Sequence, residues 1–242
     1  MCAISFQSTS QQQYHDKTNA GLIAGSILAG TQVIGGIIEN NNIKNHPELE
    51  VGSEAFKKEL ENLKKLGLNE KEALNTIESM KNGARNYKKY YLPIVLGVAT
   101  LSAVSGAIVD RVRNKKASEA YEAINKKGIE KALDEGHHIR LTEFGTPYYK
   151  SNDGSKLGGL LGAGVGLLSM SALFATKSMN GIFETAKALG EKKSSKTKIV
   201  AILGLVTLPV FALGGWVMGN IADNYNNRKA EGTSLKNYKK EI

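Results

Sequence analysis

Four long segments of this chain contain no charged side chain, and this pattern constrains the fold more than any other feature. They cover residues 18–38, 90–109, 157–176 and 199–222. A helix rises about 1.5 Å per residue and the hydrocarbon core of a bilayer is about 30 Å thick, so about 20 residues cross it. Each segment is long enough. The sequence therefore predicts an all-α membrane protein with four transmembrane helices and helical extramembrane loops.

The alternative to four crossings is a soluble bundle whose core helices are apolar all round. Such a core would need a larger protein to cover it, whereas the segments between the apolar ones are short and highly charged. Aromatic residues flank the apolar segments, as is typical at bilayer interfaces: Tyr14, Tyr90, Tyr91, Tyr148, Tyr149 and Trp216. We therefore favour the membrane. The first segment, which contains Gln32, and the glycine-dense third segment are the weakest crossings, and either could be re-entrant or lie at the surface.

The net charge is +9, with 32 Lys and Arg residues against 23 Asp and Glu residues. Basic residues cluster beside the apolar segments, in 81–89, 111–116 and 192–198, where they would meet anionic headgroups. The chain has no aromatic stacking platform or nucleic-acid recognition motif. We therefore expect the lipid bilayer, and not nucleic acid, as its partner. Lys and Arg divide 16 to 16 between the two sides of the predicted topology, so they do not resolve its orientation.

Small residues recur at spacings of four within the apolar segments. Helices gain little from the hydrophobic effect when they associate in lipid, so close backbone approach over glycine is a main source of attraction. The predicted helix-packing residues are Gly21, Gly25, Gly158, Gly162 and Gly166. They would pack helices within a bundle or between copies in a homo-oligomer, although transmembrane helices are richer in glycine in any case.

Proline stands in the middle of the fourth apolar segment. Pro209 removes a backbone donor from the helix, and the hydroxyl of Thr207 is close enough in sequence to satisfy the carbonyl that is released. The sequence therefore predicts a kink at Pro209, which either shapes the bundle or marks a gate or binding site.

The second and fourth segments share sequence beyond their apolar composition. Residues 96–101 (LGVATL) align with 203–208 (LGLVTL), and Asp110-x-x-x-Asn114-Lys-Lys-Ala aligns with Asp223-x-x-x-Asn227-Arg-Lys-Ala, although the two matches differ in offset by six residues. A Gly-x-Ile-x-acid pattern ends the first, second and fourth segments. These matches indicate either a duplicated helix pair, with the two pairs in parallel orientation, or chance similarity between apolar segments.

The loops contain two further predicted units within a single membrane domain of residues 1–242. Residues 52–83 read as an amphipathic helical hairpin, in which Ser53 caps the first helix, and Asn69 with Glu72 caps the second. The hairpin would cover the headgroups or bind a partner. Residues 111–156 read as a continuation of the second apolar helix followed by a short hairpin or cap. A continuing helix would also explain Asp110, because a carboxylate is unfavourable at a helix C-terminus.

No motif in the sequence supports catalysis or a cofactor. The single cysteine, Cys2, excludes a disulfide within the chain and metal sites built from several thiolates. His137 and His138 lie near Glu135 and Glu143, but adjacent side chains diverge and no third ligand has a suitable spacing, so we predict no metal site.

We expect a non-enzymatic scaffold or interaction protein of the membrane. The alternative is a small pore, channel or transporter, which would use a line of polar residues within the apolar segments: Gln32, Thr100, Thr207 and Asn220. The absence of ionisable residues inside the segments weakens this alternative. Richness in Lys and Asn suggests a bacterial cell membrane as the location.

Overall fold

The structure is a computed structural model and describes residues 17–45, 50–180, 183, 186 and 194–241. Cys2, Tyr14 and part of the basic run 192–198 lie outside the described residues. The elements in chain order are α1 (Ala20–Asn45), α2 (Glu54–Lys65), α3 (Glu70–Lys127), α4 (Ile129–Asp134), β1 (Ile139–Leu141), β2 (Pro147–Tyr149), α5 (Asp153–Ala175) and α6 (Ser194–Glu241).

Four helices, α1, α3, α5 and α6, are long and apolar enough to cross a bilayer. The prediction of an all-α fold with four such helices is confirmed, and the apolar segments fall within these elements, except for residues at the segment ends. The helices extend further than the apolar segments do. With 58 residues, α3 is about 87 Å long, nearly three times the thickness of the hydrocarbon core.

The four long helices form two antiparallel pairs. Helix α1 lies along α3, with Gly21 facing Gly106 near one end and Gly36 facing Val95 near the other. Helix α5 lies along α6 in the same way. The pairs join through contacts of α3 with α5 and of α1 with α6. As a result, the first turns of α1 and α5 lie at one end of the bundle together with Asp110 and Asp223. We call this the aspartate end, and the opposite end, at Tyr87 and Tyr91, the tyrosine end.

Helix α2 packs against the first turns of α3, which extend beyond the tyrosine end of the bundle. The Ser53 hydroxyl accepts a hydrogen bond from the Phe56 N–H (3.1 Å) at the start of α2. Asn69 and Glu72 form a reciprocal capping box at the start of α3. The apolar face of the hairpin is used internally, because Leu63 and Ile77 are almost fully buried in a cluster with Leu68, Ala73, Phe56 and Leu60.

Beyond the aspartate end, α3 continues for more than four turns and anchors a small core outside the apolar segments, which we call the extramembrane core. Strands β1 and β2 form an antiparallel hairpin in which Ile139 pairs with Tyr149. Both residues are buried against the α3 face that carries Ala120 and Tyr121, and α4 closes the cluster with Ala132. The hairpin thus links the end of α3 to the start of α5 and holds Tyr149 close to the bundle.

Candidate functional site

The Asp110 carboxylate of α3 caps the beginning of α1. Its Oδ1 accepts a hydrogen bond from the Gly21 N–H (2.8 Å), and its Oδ2 accepts one from the Leu22 N–H (2.7 Å). The first N–H groups of a helix have no partner within the helix and carry its positive dipole end, so a carboxylate is favourable there. Asp110 is buried. It therefore does not end its own helix but stabilises the start of the neighbouring one.

Asp223 of α6 does the same for α5. Its carboxylate accepts hydrogen bonds from the Gly154 N–H (3.1 Å), the Ser155 N–H (2.9 Å) and the Ser151 hydroxyl (2.6 Å). Helix α5 accordingly begins at Asp153, four residues before the apolar segment from which we predicted it. A charged residue, Lys156, is tolerated in the first turn because that turn lies at the polar end of the bundle.

An asparagine one turn after each aspartate fixes the chain that enters the capped helix. The Asn114 amide accepts a hydrogen bond from the Thr18 N–H and donates one to the Thr18 carbonyl, both at 3.1 Å. Asn227 makes the same two bonds with Ser151, at 2.7 and 3.0 Å. Each Asp and Asn pair therefore holds the first turn of the partner helix and the residue three positions before its glycine. We call each of these two pairs, Asp110 with Asn114 and Asp223 with Asn227, a clasp.

Both helix pairs are in backbone contact along a glycine seam. A Cβ added to Gly21 would lie 2.6 Å from the Gly106 carbonyl oxygen, and one added to Gly25 would lie 2.6 Å from the Ser102 carbonyl oxygen. In the second pair, an added Cβ on Gly158 would overlap the Gly215 backbone and one on Gly162 the Phe211 backbone. Real Cβ atoms do not approach other atoms this closely, so only glycine permits these separations.

The predicted packing residues thus lie on seams within the chain. Gly166 is less tight than the others, since its added Cβ would lie 3.1 Å from the Phe211 side chain. In contrast, six glycines of the same helices have open space beside them: Gly30, Gly35, Gly97, Gly164, Gly214 and Gly232. Pro209 lies inside α6, which is continuous through it. The kink at Pro209 stays a prediction.

The two helix pairs differ at the position one residue before each clasp asparagine. Asn226 of α6 accepts a hydrogen bond from the Thr18 hydroxyl (2.5 Å) and so joins the two pairs. The corresponding residue of α3 is Arg113, whose side chain is almost fully buried. Its guanidinium carbon lies 5.6 Å from the centre of the Tyr149 ring, within the range of a cation–π interaction.

Tyr149 and Asp153 connect this end of the bundle to the extramembrane core. The Tyr149 hydroxyl donates a hydrogen bond to the Asp153 carboxylate (2.9 Å), and the Lys116 ammonium lies 2.5 Å from the other carboxylate oxygen. Burial, and then the adjacent negative charge of Asp153, raise the pKa of Tyr149 well above its ordinary value of 10.0. The phenol therefore remains a donor throughout the physiological range.

Two cavities lie one above the other between the helix pairs. The smaller, about 50 Å³, is near the aspartate end and is lined by residues of all four long helices. The larger, about 440 Å³, extends to Tyr87 and Tyr91 at the tyrosine end. Gln32 and Phe211 line both cavities and separate them. The Gln32 side-chain oxygen accepts from the Ser102 hydroxyl (3.1 Å), whose single proton is shared with the Val98 carbonyl (3.0 Å).

The polar line suggested for a pore is not assembled as a whole. Gln32 and Thr207 line the same cavity, whereas Thr100 is exposed on the outer surface and its hydroxyl donates back to the Leu96 carbonyl. His137 lies 3.9 Å from Glu135, and within the described part of the chain no group of three or more His, Cys, Asp or Glu side chains could hold a metal ion.

Sequence reasoning missed the residues that receive the clasps. Thr18-Asn19-x-Gly21-x-x-x-Gly25 before and within α1 corresponds to Ser151-Asn152-x-Gly154-x-x-x-Gly158 at the start of α5. Alignment of the first and third apolar segments on their Asn-x-Gly triplets would have found them. By their contacts, Gly106 of α3 corresponds to Gly219 of α6, and Asp110 corresponds to Asp223. The sequence match between residues 96–101 and 203–208 is six residues out of step with this correspondence.

Comparison with protein-family models, with curated proteins and with solved structures gave no match. The structure itself defines the class: an all-α protein with four helices long and apolar enough to span a membrane. Any more specific role must be inferred from the geometry described above.

Proposed function

We propose that this chain is an integral, multi-pass membrane protein that acts as a non-enzymatic scaffold, holding interaction surfaces in a fixed arrangement on both faces of the bilayer. The observation that carries this proposal is the continuity of α3. The helix begins at Glu70, passes through the apolar segment and ends at Lys127, so it extends by about 27 to 30 Å beyond that segment on each side. One rigid element thus links the α2 hairpin to the extramembrane core at the aspartate end.

The clasps and glycine seams support a rigid bundle. Each pair of helices is fixed by backbone contact in the half of the bundle next to the aspartate end, and by a buried carboxylate at that end. Packed interiors of this kind transmit strain and do not deform continuously. A bundle of this construction suits a protein that presents surfaces better than one that must open and close.

The repeated clasp also supports an origin by duplication of one helix pair. Asp, Asn and glycine occupy equivalent positions in both pairs, and both receive an Asn-x-Gly segment. The two pairs run in parallel, as expected when each unit contains an even number of crossings. A bacterial cell membrane remains a prediction from composition alone.

The exposed polar face of α3 beyond the aspartate end is the first surface to test. It carries Lys115, Glu119, Glu122 and Lys126, which form ion pairs along the helix and are not buried in the extramembrane core. The protein would be crosslinked in its native membrane, extracted in mild detergent and resolved by blue-native electrophoresis. We expect an assembly larger than the lipid-bearing monomer, and a monomer without crosslinked partners would contradict the proposal.

Charge reversal of those four residues should reduce the crosslinked assembly without altering the bundle. A second, matched variant reverses Lys57 and Glu61, which are exposed on α2 at the opposite end, and tests the other proposed surface. An assembly that survives both sets of substitutions would show that neither extramembrane surface holds a partner, which also counts against a scaffold.

A pore or transporter is the second candidate, because the two cavities lie on one axis and Gln32 with Phe211 separates them. Replacement of Phe211 by alanine would remove the largest side chain at this constriction. Flux of ions and small neutral solutes from proteoliposomes should then exceed that of the unaltered protein. If neither form passes any solute faster than empty liposomes, the pore is ruled out.

A further inference from the structure

The cavity of about 440 Å³ at the tyrosine end is much larger than the cavity of about 50 Å³ near the aspartate end. It lies between the helix pairs and extends along α3 from Val98 to Tyr87, a length of about 16 Å. Its volume is within the range of about 300 to 1,000 Å³ that is typical of small-ligand sites. The backbone contacts of the glycine seams, which join the helices within each pair, lie in the other half of the bundle.

The walls of the cavity are mainly apolar. Val95, Met170, Leu173 and Leu203 contribute to them, together with Phe174 and Phe211. Two of the polar lining groups already have partners: the Gln32 oxygen accepts from Ser102, and the Ser169 hydroxyl donates to the Val165 carbonyl (2.8 Å). Water needs two to four polar partners to occupy a buried site, and an apolar cavity instead takes apolar guests.

The position of the cavity indicates which kind of apolar molecule can occupy it. It begins near the middle of the apolar segments and ends at Tyr87 and Tyr91, whose rings are in tilted contact with centres 5.1 Å apart. Tyrosines in such positions lie at the level of the lipid headgroups. A helix of the same length is about 10 Å across and would displace more than about 1,200 Å³, so a helix from a second chain does not fit.

We propose that this cavity binds one hydrocarbon chain of a bilayer lipid, with the chain end towards Gln32 and the headgroup beside Tyr87 and Tyr91. The inference rests on the membrane-spanning arrangement proposed above, but not on the scaffold role. It assigns a structural or regulatory lipid to a site between the helix pairs, at the end away from the backbone contacts of the glycine seams.

Two glycines of α1 provide a matched pair of variants. Gly35 lines the cavity, and nothing lies within 4 Å of a Cβ added there, so Gly35→Phe fills the space without a backbone clash. Gly30 is equally open and, like Gly35, exposed, but it does not line the cavity, so Gly30→Phe adds the same ring elsewhere.

The test is native mass spectrometry of the full-length protein, exchanged into phosphatidylcholine bilayers and released from mild detergent. We expect one lipid retained per chain, a loss of retention of about tenfold in Gly35→Phe, and unchanged retention in Gly30→Phe. Absence of retained lipid from the unaltered protein would overturn the proposal, as would full retention by a folded Gly35→Phe variant.

A second measurement needs no variant and applies even if Gly35→Phe does not fold. Phosphatidylcholine with a photoreactive group near the end of its acyl chain would be crosslinked to the unaltered protein in liposomes. Adducts on Met170, Leu173 or Leu203 support the site. Adducts confined to outward-facing residues such as Leu205 and Val210 would refute it. Failure of the bundle to cross the membrane would be seen separately, by the accessibility of introduced cysteines.

Discussion

Asp110 binds the backbone of Gly21 although the two residues are 89 positions apart, and the 2.8 Å hydrogen bond from the Gly21 N–H holds α1 against α3. The same relationship joins Asp223 to Gly154 in the other helix pair. The two clasps make the aspartate end the most constrained part of the bundle, and they provide the most direct tests of its architecture.

Replacement of either aspartate by asparagine should destabilise the fold by a similar amount. Asparagine keeps the size of the side chain but loses the negative charge and one acceptor, at a cost of about 1 to 2 kcal/mol in the free energy of unfolding. Thermal unfolding in detergent would measure Asp110→Asn and Asp223→Asn against Glu122→Gln, a control on the exposed face of α3. A loss in one variant without a comparable loss in the other would contradict the equivalence of the clasps.

The glycine seam between α5 and α6 should not accommodate even an added methyl group. A Cβ at Gly158 would overlap the Gly215 backbone, so Gly158→Ala must separate α5 from α6 and should cost about 1 to 3 kcal/mol. Gly164 lies in the same helix with open space beside it, so Gly164→Ala should be neutral or slightly stabilising. Denaturation in mixed micelles measures both, and equal stability of the two variants would count against the seam.

Stability should fall at alkaline pH because of Tyr149. Its pKa is raised in the folded protein by burial and by Asp153, whereas the unfolded chain ionises near the ordinary value of 10.0. The stabilisation is therefore complete below pH 10 and is lost progressively above it, since the unfolded state releases its proton first. Tyr149→Phe should unfold more easily at neutral pH, by about 1 kcal/mol, but should lose less stability between pH 10 and 12.

Unfolding temperatures of the two proteins measured across this pH range provide the check. The other tyrosines are common to both, so the difference between the curves isolates Tyr149. Parallel curves would show that the Tyr149 proton is not linked to folding.

The antiparallel pairing places the start of α1, the extension of α3 and the end of α6 at one end of the bundle, which the proposed membrane arrangement puts on one side of the bilayer. In a chain with Cys2 replaced by serine, cysteines introduced at the exposed residues Glu119 and Lys229 should react with a membrane-impermeant maleimide from the same side. A cysteine at Glu61 of α2 should react from the opposite side. Labelling of all three from one side would show that at least one apolar helix does not cross.

The sequence was sufficient for the elements that depend on local signals. Uncharged length predicts the four apolar helices, and the capping residues Ser53, Asn69 and Glu72 predict where α2 and α3 begin. The partners of the seam glycines could not be predicted, because glycines spaced four residues apart mark a small-residue face without showing which helix lies against it. Arg113 was not identified either, since a basic residue beside an apolar segment normally lies at the headgroups.

Local chemistry thus determines that this chain forms long helices, where their apolar parts lie and how α2 and α3 begin. Only the tertiary structure decides that the acids at the ends of two apolar segments, inside α3 and α6, cap the beginnings of α1 and α5. The physical reason is that the first N–H groups of a helix have no partner within that helix and favour a carboxylate, which the antiparallel neighbour supplies. The Asp and Asn spacing was visible in the sequence, but its meaning depends on residues brought together from distant parts of the chain.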